Sequence, residues 1–284
     1  MIAIEARKLG FMYAGSSSWV LKDIDLEIYE REFVLLAGRS GCGKSTLLRC
    51  FNGLIPYFYE GELEGEVKVY GLDTRNHPPY ILSQYAGMVF QNPDNQLFAL
   101  TVEADIAFAL ENLSLPRDEI RERVDWALKV MGIEDLRDKS PNELSGGQKQ
   151  KVAIASILAM KPKIIILDEP TSSLDPASAK QLIDTIAELN YKLGITIIIA
   201  EHRLDMLLPY VNRLIVMNDG RIVFQGNPRD ILEKYDVMPY GVPVPRVVRV
   251  AQQLKKTLSG STISRIPLTV DELVQDIRRW RSGK

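Results

Sequence analysis

Gly38-Arg39-Ser40-Gly41-Cys42-Gly43-Lys44-Ser45-Thr46 has the spacing G-x-x-x-x-G-K-S. Glycines at this spacing let successive backbone N–H groups turn toward one point and cradle phosphate oxygens. A lysine closing such a loop reaches the β- and γ-phosphates, and the hydroxyl after it ligates Mg²⁺. Lys44, Ser45 and Thr46 are therefore candidates to bind a nucleoside triphosphate, with the amides of the whole stretch from Gly38 to Thr46 around them. Far downstream, Asp168-Glu169 ends the apolar run Ile164-Ile165-Ile166-Leu167. Asp168 is the candidate to hold Mg²⁺, directly or through water. Glu169 is the candidate to polarise an attacking water. The chemistry these residues describe is triphosphate hydrolysis.

Such residues need rigid supports. Phe33-Val34-Leu35-Leu36-Ala37 reads as a buried strand, and Lys44-Ser45-Thr46-Leu47-Leu48 opens a helix. Strand, glycine loop and helix in that order are the context the loop requires, because the helix N-terminus adds partial positive charge. Residues 164–168 and Ile195-Thr196-Ile197-Ile198-Ile199 are unalternating apolar runs, the pattern of parallel strands covered on both faces. Asp168 ends its strand at the carboxyl side, where doubly wound sheets place ligands. Asp175-Pro176 supplies a cap and an N1 proline for a helix with Leu182, Ile183, Ile186 and Leu189 on one face and Gly194 at its end. Residues 97–141 look helical. Leu144-Ser145-Gly146-Gly147-Gln148 precedes a helical stretch from Lys151 to Met160, which puts Ser145 and the amides of Gly146 and Gly147 at a helix N-terminus, a second anion site.

Taken together, these motifs resemble the ATP-binding subunit of ABC (ATP-binding cassette) proteins over about residues 1–230. The resemblance implies an α/β fold of the P-loop NTPase type, with a mainly parallel sheet and a helical subdomain at about 92–160 within a domain of residues 1–240. It also assigns roles by position. Tyr13 matches the aromatic that stacks on adenine, although Phe11 lies close by. Gln91 matches the glutamine that approaches Mg²⁺ and the attacking water. Ser145, Gly146, Gly147 and Gln148 match the signature that grips the γ-phosphate bound to a second cassette. Asp175 ends the matching D-loop, and His202 matches the switch histidine at the γ-phosphate. ATP and Mg²⁺ are the implied cofactors. The implied working unit is a head-to-tail dimer with an identical or paralogous chain, two ATP molecules lying between the cassettes.

The segment Gln91-Asn92-Pro93-Asp94-Asn95-Gln96-Leu97-Phe98, continued by Thr101 to Phe108 and by Glu111 to Pro116, narrows the resemblance. It looks like the ATPases of energy-coupling factor (ECF) transporters, including the cobalt and nickel uptake ATPases. That resemblance implies a transmembrane scaffold seated on this region, a small membrane protein that selects the cargo, and residence at the cytoplasmic face of the membrane. An ordinary ABC importer ATPase and a soluble non-transport ABC ATPase are the alternatives. Lys151 stands where arginine is common in the family, and Ala109-Leu110 where a Gly-Pro pair is common.

After Gly241-Val242-Pro243-Val244-Pro245 the chain changes character. Residues 246–258 read as a basic helix. Thr269-x-x-Glu272 reads as a capping box ahead of Val270, Leu273, Val274, Ile277 and Trp280 at helical spacing. Residues 241–284 are expected to be a helical extension that either joins two cassettes, as in ECF ATPases, or packs on its own. Charge gives no nucleic-acid footprint: 35 lysines and arginines face 37 acidic residues, a net −2. No apolar run approaches the roughly 18–20 residues that span a bilayer, and no signal peptide is expected before Ile2-Ala3-Ile4-Glu5, which reads as a first strand. Cys42 and Cys50 suggest no disulfide framework. Cys42 lies inside the phosphate loop, so a bulky thiol reagent is expected to block nucleotide binding.

Overall fold

The computed structural model describes residues 1–257 and 265–282. Two sheets carry the fold. In the first, β1 (Ile2–Tyr13) pairs antiparallel with β2 (Leu21–Tyr29) on one side and β4 (Gly61–Val69) on the other, with β5 (Leu72–Asp73) at the edge. Of this antiparallel sheet the sequence marks only the first strand, at Ile2-Ala3-Ile4-Glu5.

The second sheet has the order β10 (Arg221–Gly226), β9 (Arg213–Asn218), β3 (Phe33–Gly38), β8 (Thr196–Ala200), β7 (Ile164–Asp168), β6 (Ala86–Val89). Every pairing from β9 to β6 is parallel, and β10 alone runs antiparallel. Every residue of β3, β6, β7 and β8 is buried, which is why their sequences do not alternate. Successive side chains nevertheless separate into two cores. Val34, Leu36, Ile164, Ile166 and Ile198 face α1 (Lys44–Phe51) and the antiparallel sheet. Leu35, Ile165, Leu167, Ile197 and Ile199 face the larger core.

That larger core takes in the helical subdomain: α4 (Val102–Asn112), α5 (Arg117–Met131) and α6 (Gly146–Ala159). Two one-turn helices, α2 (Leu54–Tyr57) and α3 (Pro79–Leu82), precede it in the chain. α4 is unbroken through Ala109-Leu110, and Thr101 caps it by accepting from the Ala104 N–H. α7 (Pro176–Leu193) packs Leu182, Ile183, Ile186 and Leu189 into the same core, and Gly194 ends it in left-handed conformation, as expected.

The tail follows α8 (Leu204–Leu207) and α9 (Pro228–Lys234). It consists of α10 (Arg246–Thr257) and α11 (Val270–Arg281). The basic helix therefore forms, its expected last residue, Leu258, lying outside the described residues. The extension packs on its own cassette: Val242 and Val248 enter the main core, and Ala251 meets Leu273 of α11. The capping box is only half formed. Thr269 accepts from the Glu272 N–H at 3.2 Å, but the Glu272 carboxylate turns instead to Arg229 on α9, 2.8 Å at each oxygen, and to the Leu268 N–H. A charge-assisted bidentate pair outweighs the return bond of a cap. Val250, Val270, Val274 and Trp280 stay exposed.

Candidate active site

The phosphate loop joins β3 to α1. Gly38 has φ 149°, and a Cβ there would stand 2.4 Å from the Met217 carbonyl oxygen and 2.9 Å from Cys42 Sγ, so only glycine fits. Gly43 caps α1 at φ 107°. Lys44 is buried and folded back into the loop, donating to the carbonyls of Gly38 (3.0 Å) and Arg39 (3.2 Å). Those bonds hold its ammonium at the centre of the turn, where phosphate oxygens would replace the carbonyls. The Arg39 side chain leaves the loop and donates to the Pro239 carbonyl at 2.7 Å, so only its backbone faces a phosphate.

Ser45, the second residue of α1, donates to Asp168 at the end of β7 over 3.0 Å. Burial pushes the Asp168 carboxyl above its ordinary pKa, and the bond from Ser45 opposes this. A buried carboxylate beside a hydroxyl is a hard oxygen pair short of positive charge, which fits Mg²⁺.

Glu169 follows with φ 47°, in the left-handed region that non-glycine residues seldom adopt. Its N–H donates to the Ala200 carbonyl of β8 and its own carbonyl accepts from Ser172, which holds the turn. Two predicted partners meet its carboxylate. Gln91, just past β6, donates from Nε2 to Oε2 at 3.0 Å, and His202, just past β8, lies with Nε2 3.1 Å from Oε1. Two chain segments, 78 and 33 residues from Glu169, thus converge on its carboxylate. Gln91 reaches Glu169 directly.

Tyr13 and Phe11 separate cleanly. Phe11 is fully buried in the smaller core, whereas the Tyr13 hydroxyl pairs with Thr46 Oγ1 at 3.0 Å and accepts from Arg49 at 3.2 Å. The aromatic beside the phosphate loop is therefore Tyr13.

The second glycine element sits elsewhere in the chain. Ser145 caps α6 by accepting from the Gln148 N–H, and Gln148 Oε1 accepts from the Ser145 N–H at 2.9 Å. Gln148 Oε1 is therefore committed to a capping box, and the donors that can face an anion are the Ser145 hydroxyl, the amides of the first turn and Gln148 Nε2. Gly147 lies against Leu174 and Ser178. Asp175 caps α7 through the Ala177 and Ser178 N–H groups, and a bond from the Ser178 side chain, ahead of these backbone bonds, holds its carboxyl below the ordinary range.

Sequence reasoning missed the residues that shape the segment after Gln91. Gln96 accepts from Phe90 N–H (2.8 Å) and donates to the Met88 carbonyl (3.2 Å), completing the edge of β6 as a further strand would. Buried Asp105 accepts from the N–H groups of Phe98 and Ala99. Asp94 pairs with Lys149 on the first turn of α6 at 2.7 Å. Polar side chains inside an otherwise loop-like string were the only signal available.

This fold and this site define a nucleoside-triphosphate hydrolase of the P-loop type. The profile of the ABC transporter family matches residues 21–172, and the chain belongs to that family as an ATP-binding, ATP-hydrolysing transporter subunit. It is 43% identical over 281 residues to the energy-coupling factor transporter ATP-binding protein EcfA1 of Caldanaerobacter subterraneus subsp. tengcongensis, covering 97% of this chain and 99% of that one. Among solved structures, cbiO1 of Clostridium perfringens, part of the ABC transporter complex cbiONQ, superposes with TM-score 0.75 at 38% identity over 89% of this chain and 99% of its own. A dimeric ATP-binding cassette in a post-hydrolysis state, bound to ADP and Pi, superposes with TM-score 0.70 at 30% identity over 80% of this chain and 99% of its own.

Proposed function

We propose that this chain powers an ECF-type transporter that takes up a small micronutrient, a vitamin or a transition-metal ion. The observation that carries the proposal is an apolar surface placed directly after Gln91. Phe98, Leu100 and Phe108 are 65%, 88% and 44% exposed, and the Phe98 and Phe108 rings meet edge to face at 4.6 Å. Asp105 fixes the backbone of this surface, and Gln91 connects the same segment to Glu169. Exposed apolar clusters of this kind mark interaction sites, and here a helix of a membrane scaffold is the occupant that the EcfA1 and cbiO1 likenesses favour. No helix among the described residues is long and apolar enough to cross a membrane, so the chain reaches the cytoplasmic face of the membrane through its partners.

In this reading, the loop amides and Lys44 hold the phosphates, with Tyr13 against the base. Ser45 and Asp168 would hold Mg²⁺, which would supply positive charge beside the phosphates. A second cassette, identical or paralogous, closes its signature over the γ-phosphate. Glu169 accepts a proton from water while Gln91 and His202 keep its carboxylate aimed. The cassette comprises about residues 1–240, with Gly241 at the boundary packed against Arg39 of its phosphate loop. The extension, though packed on its own cassette, leaves Val250, Val270, Val274 and Trp280 exposed as the surface to meet a second cassette.

The test is recovery of the tagged chain from its native operon in mild detergent, beside the variant Leu100→Asp. A membrane scaffold with a small integral partner, lost in the variant, supports the reading. A pair of large permease subunits favours an ordinary ABC importer. Soluble partners alone overturn the transporter-docking role of this surface.

A further inference from the structure

His202 is preceded by a glutamate whose role the ATPase chemistry leaves open. Glu201 is only 3% exposed. Its Oε1 accepts from the N–H of His202 at 2.8 Å and of Arg203 at 3.4 Å. Its Oε2 accepts from the Thr171 N–H at 3.3 Å and from the Thr171 hydroxyl. Thr171 is itself fully buried, two residues beyond Glu169. Four donors therefore converge on one side chain, two from each of the segments that carry Glu169 and His202. On the other side of His202, the Arg203 guanidinium donates to the Leu174 carbonyl at 3.0 Å and crosses the same gap.

We propose that Glu201 is a positioning residue for ATP hydrolysis, its buried carboxylate clamping the Thr171 turn to the backbone of His202 and thereby setting the Glu169–His202 contact. This rests on the reading of Glu169 and His202 as the hydrolytic pair. A carboxylate suits the place because it accepts at both oxygens and presents no donor. Burying it is costly unless it is fully hydrogen-bonded, and here it is. Glutamine has the same shape but presents one acceptor and one donor group. Its oxygen can serve the His202 and Arg203 amides, which cannot reverse. Its NH₂ group then faces Thr171, whose hydroxyl can turn to accept but whose N–H is left unpaired. The strain of Glu201→Gln accordingly falls on the Glu169 side, while the phosphate loop is untouched. Misplacing a catalytic group by an ångström costs about a hundredfold, so a fraction of that shift should lower kcat by about tenfold.

The test compares the full chain with Glu201→Gln, Thr171→Val and the double variant, reading kcat, ATP Kd and Tm, with Glu169→Gln alongside. Glu201→Gln should lose about tenfold in kcat, with ATP Kd within about twofold. Thr171→Val, which removes one donor to the same carboxylate, should lose less, and the double variant should be no worse than Glu201→Gln alone. If Glu201→Gln does not fold, Thr171→Val carries the comparison. A kcat within about twofold of the parent in every folded single variant overturns the proposal, as does an ATP Kd that rises as far as kcat falls. Wild-type turnover in Glu201→Gln with none in Glu169→Gln refutes the clamp alone. Wild-type turnover in Glu169→Gln refutes the hydrolytic pair and the clamp with it.

Discussion

Neutralising Glu272 should loosen the tail without touching the nucleotide site. The carboxylate sits between two guanidinium nitrogens of Arg229 at 2.8 Å, and the Leu268 N–H donates to it at 2.9 Å. The bond from Arg229, ahead of the other contributions, lowers its pKa from the ordinary 4.5 to about 2. At about 1.4 kcal/mol per pH unit this amounts to about 3 kcal/mol. The Glu272 side chain is 39% exposed, however, and solvent screening cuts the figure to about 1 kcal/mol. The lowered pKa means that the folded form prefers the ionised group. Its stabilisation is complete above pH 4.5 and disappears as pH falls from there toward about 2. Limited trypsin digestion at pH 7.5 reads this as opening of α11, because cleavage tracks the open population when reclosing is fast. Glu272→Gln should speed cleavage in the extension about fivefold, with cleavage of the cassette unchanged. A rate within about twofold of the parent would refute the idea that this pair docks the tail.

Glu169→Gln should abolish turnover by about a hundredfold or more and trap an ATP-bound dimer, visible by size-exclusion chromatography; unchanged hydrolysis removes Glu169 from its role. Asp168 is held above its ordinary pKa by burial, so its ionised form costs stability as pH rises through the carboxylate range. Asp168→Asn should therefore raise the Tm of the nucleotide- and Mg²⁺-free protein at pH 7 while removing Mg²⁺-dependent turnover, and the Tm gain should vanish below about pH 3.8. An equal or lower Tm at pH 7 would contradict this. Cys42 is buried and its thiol is pushed up by that burial, so a bulky disulfide reagent should react about tenfold or more slowly than with free cysteine, and modified protein should lose ATP binding. Rapid labelling, or full binding after complete labelling, would count against it.

Local chemistry was legible in the sequence where one short segment both folds and acts. The glycine loop, the Asp168-Glu169 strand end and the helix after Asp175 each carry their own geometry, and each lies where the sequence places it. The order of the parallel strands was not legible, because β3 pairs with β8 and β9, more than 150 residues away, through backbone groups that every residue possesses. Glu201 escaped notice as a clamp for a related reason: two of its four donors, both from Thr171, come within reach only once β7 and β8 lie side by side. The Thr269 box misled because a distant arginine competes for Glu272, and nothing between Thr269 and Glu272 announces it. Gln148, expected at the γ-phosphate of a second cassette, also gives its Oε1 to the helix cap, which its sequence neighbours do not announce.

Arg39 reaches out of the phosphate loop to Pro239 and packs against Gly241, where an added Cβ would stand 2.3 Å from Arg39 Cγ. The place that composition marks as the seam between cassette and tail is thus a wall of the nucleotide loop. Anyone shortening this chain at residue 240 would be removing masonry, and any scheme that exchanges tails between such proteins must carry residues 239–241 along with the cassette, not with the tail.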